Sequence, residues 1–208
     1  MNGTAHTAIG AAGGFMVANT LQAEPTITVF LVGLGSVSAL IPDLDIDGKL
    51  RGKITLSHKI IRLAATFIGI MMVLYSFYAG SDMDQWIGIG IGILIISIAS
   101  SIKQKHMLTI TGIGVLIGGF SLDETWLTWM GIYIIIASVV SHRSYTHAII
   151  GVIFFGTIAS KLEASLGISG IYYTCMIGYV SHLIADSKLF PFNKRGIKLF
   201  LPISSREF

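Results

Sequence analysis

Histidines and carboxylates recur in this chain where hydrophobic segments end. His182 and Asp186 are spaced i, i+4, so on a helix the two side chains share one face and can bind the same ion. His142 and His147 are spaced i, i+5, about 140° around an ideal helix, so both can face one ion only if the chain turns between them. Ionisable groups are rare in membrane segments unless they function together. These spacings predict a metal site.

Two further segments offer ligands for the same ion. Pro42 cannot continue a helix, because it lacks a backbone donor. Asp43 and Asp45 follow it, and in extended geometry they would point the same way and present two carboxylates to a metal or to the water that it activates. Nearer the amino terminus, His6 shares a helix face with glycines, a pattern that allows close packing against other helices.

The segment between His142 and His147 also holds two polar side chains of interest. Arg143 carries a guanidinium that matches phosphate bidentately, although it could equally serve only as a positive charge that orients the chain in the membrane. Thr146 could cap the next helix through its hydroxyl and so aim His147 inward. Two other histidines, His58 and His106, each stand close to a lysine and are the weaker candidates.

Composition identifies an integral membrane protein. The 208 residues are 53% hydrophobic and only 12% charged, with a mean hydropathy of +0.77, whereas soluble domains are about 25% charged. The single cysteine, Cys175, allows no intrachain disulfide and no cysteine-based zinc site. A metal must therefore use His and carboxylate ligands. The basic residues suit orientation in the membrane and contact with anionic headgroups, so nucleic-acid binding is not expected.

The hydrophobic runs predict an all-α fold, a polytopic transmembrane bundle of about eight hydrophobic helices, of which one or two could be re-entrant. The expected helices are 4–21, 26–41, 60–79, 86–101, 107–120, 125–140, 147–161 and 168–186.

Charge then orients this bundle in the membrane. Alternating the junctions across the bilayer places every Lys and Arg except Lys161 on one side, which the positive-inside rule makes cytoplasmic together with both termini. The same alternation brings the histidines and the candidate aspartates to that side. We expect residues 1–186 to form a single membrane domain with a site at its cytoplasmic face, and residues 187–208 a basic amphipathic tail.

Four motifs in this order resemble the YdjM-type family of membrane-bound, metal-dependent hydrolases. They are Thr4-Ala-His6, Pro42-Asp-Leu-Asp45, Ser141-His-Arg-Ser-Tyr-Thr-His147 and Ser181-His-Leu-Ile-Ala-Asp186. The resemblance implies a prokaryotic cytoplasmic (inner) membrane and a distant kinship to helical zinc-dependent phospholipases C and P1-type nucleases. Where relatives often continue the acidic motif with His and Pro, this chain has Ile46 and Asp47. The site residues implied by the resemblance are His6, Asp43, Asp45, His142, Arg143, Thr146, His147, His182 and Asp186.

These observations favour a hydrolase that holds one or two Zn²⁺ ions at the cytoplasmic leaflet. Mixed His and carboxylate ligation favours zinc, while Mn²⁺ becomes an option if carboxylates dominate. Metal-activated water would attack a phosphoester, with membrane phospholipids as the expected substrate class, an unligated Asp43 or Asp45 as general base, and Arg143 holding the phosphate. The alternative is a transporter or a metal-ion-binding membrane protein that uses the same ligands. The sequence leaves the substrate and the oligomeric state open.

Overall fold

The computed structural model describes residues 3–45, 58–102, 104–141, 143–189 and 196–208. In these ranges the chain forms eight α-helices and no strand, which confirms the predicted all-α membrane fold. Two short 3₁₀ segments interrupt the series; we call Ile41–Leu44 the acidic turn and Tyr145–His147 the histidine turn. The helices are α1 Gly3–Thr20, α2 Pro25–Ser38, α3 His58–Ala79, α4 Asp82–Ser101, α5 Gln104–Ser121, α6 Thr125–Val139, α7 Ile149–Leu166 and α8 Ile171–Asp186.

Three helices are long and apolar enough to cross a membrane, namely α3, α4 and α7. Their apolar side chains are largely exposed, as for Leu63 and Phe67 of α3 and Ile153 of α7. In water such surfaces would be unfavourable, whereas in a bilayer they face hydrocarbon. Shorter apolar helices are Pro25–Ser38, His106–Ser121 and Thr125–Val139.

Several predicted helix ends were wrong. The second helix ends at Ser38 rather than at residue 41, because the chain tightens into the acidic turn before Pro42. The seventh helix does not end at residue 161 as expected. Helix α7 continues to Leu166 and ends where Gly167 takes a left-handed conformation (φ 64°), the usual way to satisfy the last carbonyls.

The chain divides into two compact units, Met1–Arg51 with Leu108–Phe208, and Gly52–Met107. In the first unit α1 packs on α2 through glycine. A Cβ at Gly10 would collide with the carbonyl oxygen of Gly35, and one at Gly13 would meet Ile177 of α8. The close approach predicted for the glycine face of the first helix is therefore present, and it places His6 among three helices.

The rest of the first unit joins α5 to α6 and α7 to α8. Gly131 of α6 lies against the backbone of Leu116 in α5, and Thr109 shares a hydrogen bond of 2.7 Å with Ser138. After α8 the chain returns along the same unit, where the Lys188 and Ile197 amides donate to the Phe208 carbonyl. Whether this segment behaves as an amphipathic tail stays a prediction.

The second unit is mainly a helical hairpin of α3 and α4. Gly69 and Gly92 face each other, and a Cβ on either would press against the carbonyl of the other. Asp82 and Asp84 occupy the first turn of α4, where negative charge is favourable.

Candidate metal centre

Six ionisable side chains converge inside the first unit, and they come from four separate elements. Helix α1 supplies one histidine, the acidic turn and the residue after it supply two aspartates, the histidine turn supplies one histidine, and α8 supplies a histidine and an aspartate. All six are buried, with relative exposures of 7% or less. Such groups are costly to bury unless they pair or coordinate a cation. They are His6, Asp43, Asp45, His147, His182 and Asp186.

His182 is oriented by the main chain of the segment that follows α2. Its Nδ1 lies 2.7 Å from the carbonyl oxygen of Ala39, and since a carbonyl only accepts, this nitrogen carries the proton. In the neutral ring Nε2 therefore keeps its lone pair. A second nitrogen fixed by a carbonyl is the common arrangement of a metal-ligating histidine.

His147 is oriented through a hydroxyl and a carboxylate. The Thr146 hydroxyl donates to Asp45 Oδ2 at 3.0 Å, so its oxygen is free to accept from His147 Nδ1, which lies 3.1 Å away. Asp45 Oδ2 itself lies 3.6 Å from the same nitrogen. These partners place the proton on Nδ1, and the Nε2 atom of His147 also keeps a lone pair.

The two Nε2 atoms face each other at 3.3 Å. Asp43 Oδ1 lies 3.7 Å and Asp186 Oδ2 3.9 Å from His182 Nε2. Two lone pairs and two carboxylates this close repel one another unless a proton or a metal cation lies among them. The donor set therefore fits a divalent metal with mixed nitrogen and oxygen ligands. Two groups have ligand atoms close enough to hold an ion, His6 with His182 and Asp186, and Asp43 with His147 and His182.

Asp186 links this cluster to α1 and to Arg143. Its Oδ1 lies 3.3 Å from His6 Nε2, and its Oδ2 accepts from the Arg143 guanidinium at 2.8 Å. The His6 ring stacks on His182 with centroids 4.0 Å apart. His6 Nδ1 is buried and has no hydrogen-bond partner in the described part of the chain, so one further donor atom is available.

The backbone of Arg143 is held in a left-handed conformation, with φ 59°. This conformation is unfavourable for a side chain other than glycine, and here it aims the Arg143 amide at Asp45 Oδ2, 3.1 Å away. The Arg143 side chain is 23% exposed, so it lies nearer to solvent or headgroups than the six buried side chains do.

Two local predictions about these turns were wrong. Asp43 and Asp45 do not alternate along an extended segment, because residues 41–44 form a 3₁₀ turn. Asp43 consequently approaches His182, and Asp45 approaches His147. Thr146 does not cap α7, whose N-cap residue is Ala148 without a side-chain bond, because its hydroxyl is directed to Asp45 instead.

Sequence reasoning missed two tyrosines behind the histidine turn. The buried Tyr179 hydroxyl donates to the Thr146 carbonyl and lies 3.0 Å from the Tyr133 hydroxyl. A Cβ at Gly151 would collide with the Tyr145 and Thr146 carbonyls and the Tyr179 hydroxyl. The i, i+3 spacing of Tyr179 and His182 on one helix face was a signal that could have found this support.

The remaining histidines are His58, His106 and His142. His142 lies outside the described residues, so its predicted role stays a prediction. His58 begins α3, and the exposed His106 lies near the start of α5; both belong to the second unit.

Comparison with known proteins gives one match. The family model described as YdjM inner membrane protein matches residues 1–208. No curated protein and no solved structure matches the chain. Together with the three helices long enough to span a bilayer, this match confirms the predicted family resemblance and the inner-membrane location.

Proposed function

We propose that this chain, which belongs to the YdjM family of inner membrane proteins, is a metal-dependent hydrolase acting on a phosphoester at the cytoplasmic leaflet. The observation that carries the proposal is the approach of His182 Nε2 to His147 Nε2, with carboxylates of Asp43 and Asp186 beside them. A purely structural helix contact has no reason to bury two imidazoles and two carboxylates together.

The ligand set favours zinc. Two imidazole nitrogens with carboxylate oxygens suit Zn²⁺, and Mn²⁺ becomes the better match if the carboxylates dominate. When bound, such an ion is a Lewis acid that lowers the pKa of a water ligand towards about 7. His6, Asp43, His147, His182 and Asp186 are the described residues that would hold it.

The neighbouring residues have separate tasks in this proposal. Asp45 accepts hydrogen bonds from the Thr146 hydroxyl and the Arg143 amide, so it positions His147 rather than the substrate. Asp43 approaches His182, which suits a ligand or the general base that takes a proton from the attacking water. Arg143, partly exposed at the edge of the cluster, is suited to hold the phosphate oxygens.

Metal analysis of the purified protein tests the site first. Wild type is compared with His182→Ala and His147→Ala, and with His106→Ala as the control, because His106 is exposed and lies in the other unit. We expect near-stoichiometric zinc or manganese in wild type and control, and its loss in both site variants. Metal retained in both site variants would contradict the proposal.

The reaction is tested separately with a panel of phospholipids in mixed micelles. Water-soluble phosphate or phosphorylated headgroup should be released by wild type, stop on chelation, and return when the metal is restored. If the protein binds metal but releases nothing from any lipid, while vesicles containing it take up the ion, the transporter alternative replaces the hydrolase.

A further inference from the structure

An apolar cavity of about 270 Å³ lies between α6 and α7, beside the histidine turn. Helix α6 contributes Ile136 to its wall and is followed there by its C-cap residue Val140. Helix α7 contributes Ile150 and Phe154, and the histidine turn contributes Thr146. None of the described residues that line it is charged. Hydrocarbon is therefore the chemistry that matches its wall.

The cavity is continuous with the surface that faces the bilayer. Ile136 and Ile150, on opposite walls, are 41% and 48% exposed, and Ile153 on the next turn of α7 is 65% exposed. Helix α7 is itself long and apolar enough to span the membrane. A lipid chain can thus enter from the bilayer without crossing water.

The inner end of the cavity is tied to the candidate metal centre by two hydrogen-bonded links. Thr146 lines the cavity and donates its hydroxyl to Asp45. Tyr133, which also lines the cavity, contacts Tyr179, which donates to the Thr146 carbonyl. The Arg143 amide donates to the same Asp45 oxygen that accepts from Thr146, and the Arg143 guanidinium bonds Asp186 of the metal centre.

We propose that this cavity holds one acyl chain of a membrane phospholipid whose phosphate lies at Arg143 and the metal centre. The inference rests on the proposed function and names its substrate class: a phosphoester that carries at least one long hydrocarbon chain. The size excludes a protein partner, since a helix is about 10–12 Å across with its side chains, whereas a single chain needs only a narrow slot.

Photolabelling tests the position of the chain without relying on hydrolysis. The purified protein in maltoside micelles receives a phosphatidylglycerol that carries a diazirine at the end of one acyl chain, and labelled peptides are mapped by mass spectrometry. Ile136→Trp and Ile150→Trp fill the cavity from opposite walls. Ile153→Trp adds the same bulk to α7 on a side chain outside the cavity wall.

In wild type we expect label concentrated on the cavity wall. It should fall several-fold in both filled variants and stay unchanged in Ile153→Trp, with metal content retained in all three. The inference would be overturned if the label were spread evenly over lipid-facing residues. It would also be overturned if neither Ile136→Trp nor Ile150→Trp reduced the label. Filled variants that release phosphate from long-chain lipids as fast as wild type would overturn it too, a result that leaves the proposed function standing. Wall label that is lost on filling, in a protein that hydrolyses no lipid, supports the chain site and contradicts the hydrolase.

Discussion

The Thr146 hydroxyl is the link whose removal best tests the arrangement around His147. Thr146→Val keeps the shape of the side chain but leaves His147 Nδ1 without its acceptor at 3.1 Å, and it removes one of the donors to Asp45. A hydrogen bond to a charged group contributes about 1.5–3 kcal/mol, which corresponds to roughly 10–100-fold in an equilibrium constant. The same range is typical when residues that orient a metal ligand are changed.

We therefore expect Thr146→Val to weaken Zn²⁺ binding roughly 10–100-fold, measured by titration of the detergent-solubilised protein against a chromogenic chelator. Thr146→Ser, which restores the hydroxyl, should recover most of the affinity. Thr157→Val is the matched control, because the Thr157 hydroxyl bonds the Ile153 carbonyl of its own helix. Wild-type affinity in Thr146→Val would refute the orientation of His147 through Thr146.

Two further changes test the supports of the site. Gly10→Ala should lower the thermal midpoint strongly, since overpacking costs about 1–3 kcal/mol and here the new Cβ meets the Gly35 carbonyl; Gly33→Ala, with open space around it, is the control. Tyr179→Phe removes the donor to the Thr146 carbonyl and should cost about 1–3 kcal/mol in denaturant unfolding, whereas Tyr173→Phe, 65% exposed, should change nothing. If a variant and its control have equal unfolding midpoints, the contact assigned to that variant is contradicted.

The helices were predictable because their apolar runs match the length and period that a bilayer demands. Their ends were not, because a charged residue in an apolar run does not always mark the end of a helix. Lys161 and Glu163 lie inside α7, and Glu163 accepts the Tyr172 amide at 2.7 Å, so it satisfies a donor at the start of α8. A charge in an apolar run can thus serve the next helix, which the sequence alone does not reveal.

The candidate site, like the helices, was predictable only in part. The i, i+4 spacing of His182 and Asp186 predicted that both reach one place, and Nε2 and Oδ2 lie 3.9 Å apart. The sequence could not predict that Asp43 approaches one histidine and Asp45 the other. This arrangement depends on a 3₁₀ turn whose shape is set by packing. The Ala39 carbonyl that orients His182 is a main-chain group, and no side-chain motif marks it.

The number of metal ions follows from how many ring nitrogens of His182 can ligate a metal. This residue belongs to both groups that could hold a metal, but Ala39 occupies its Nδ1, and a neutral imidazole has only one remaining lone pair. His182 can therefore ligate one ion at a time, and the two groups describe one coordination sphere rather than two. We expect one ion per chain by mass spectrometry of the native protein, and none in His182→Ala. Two tightly bound ions in wild type would contradict this reading, because the second would have to bind without His182.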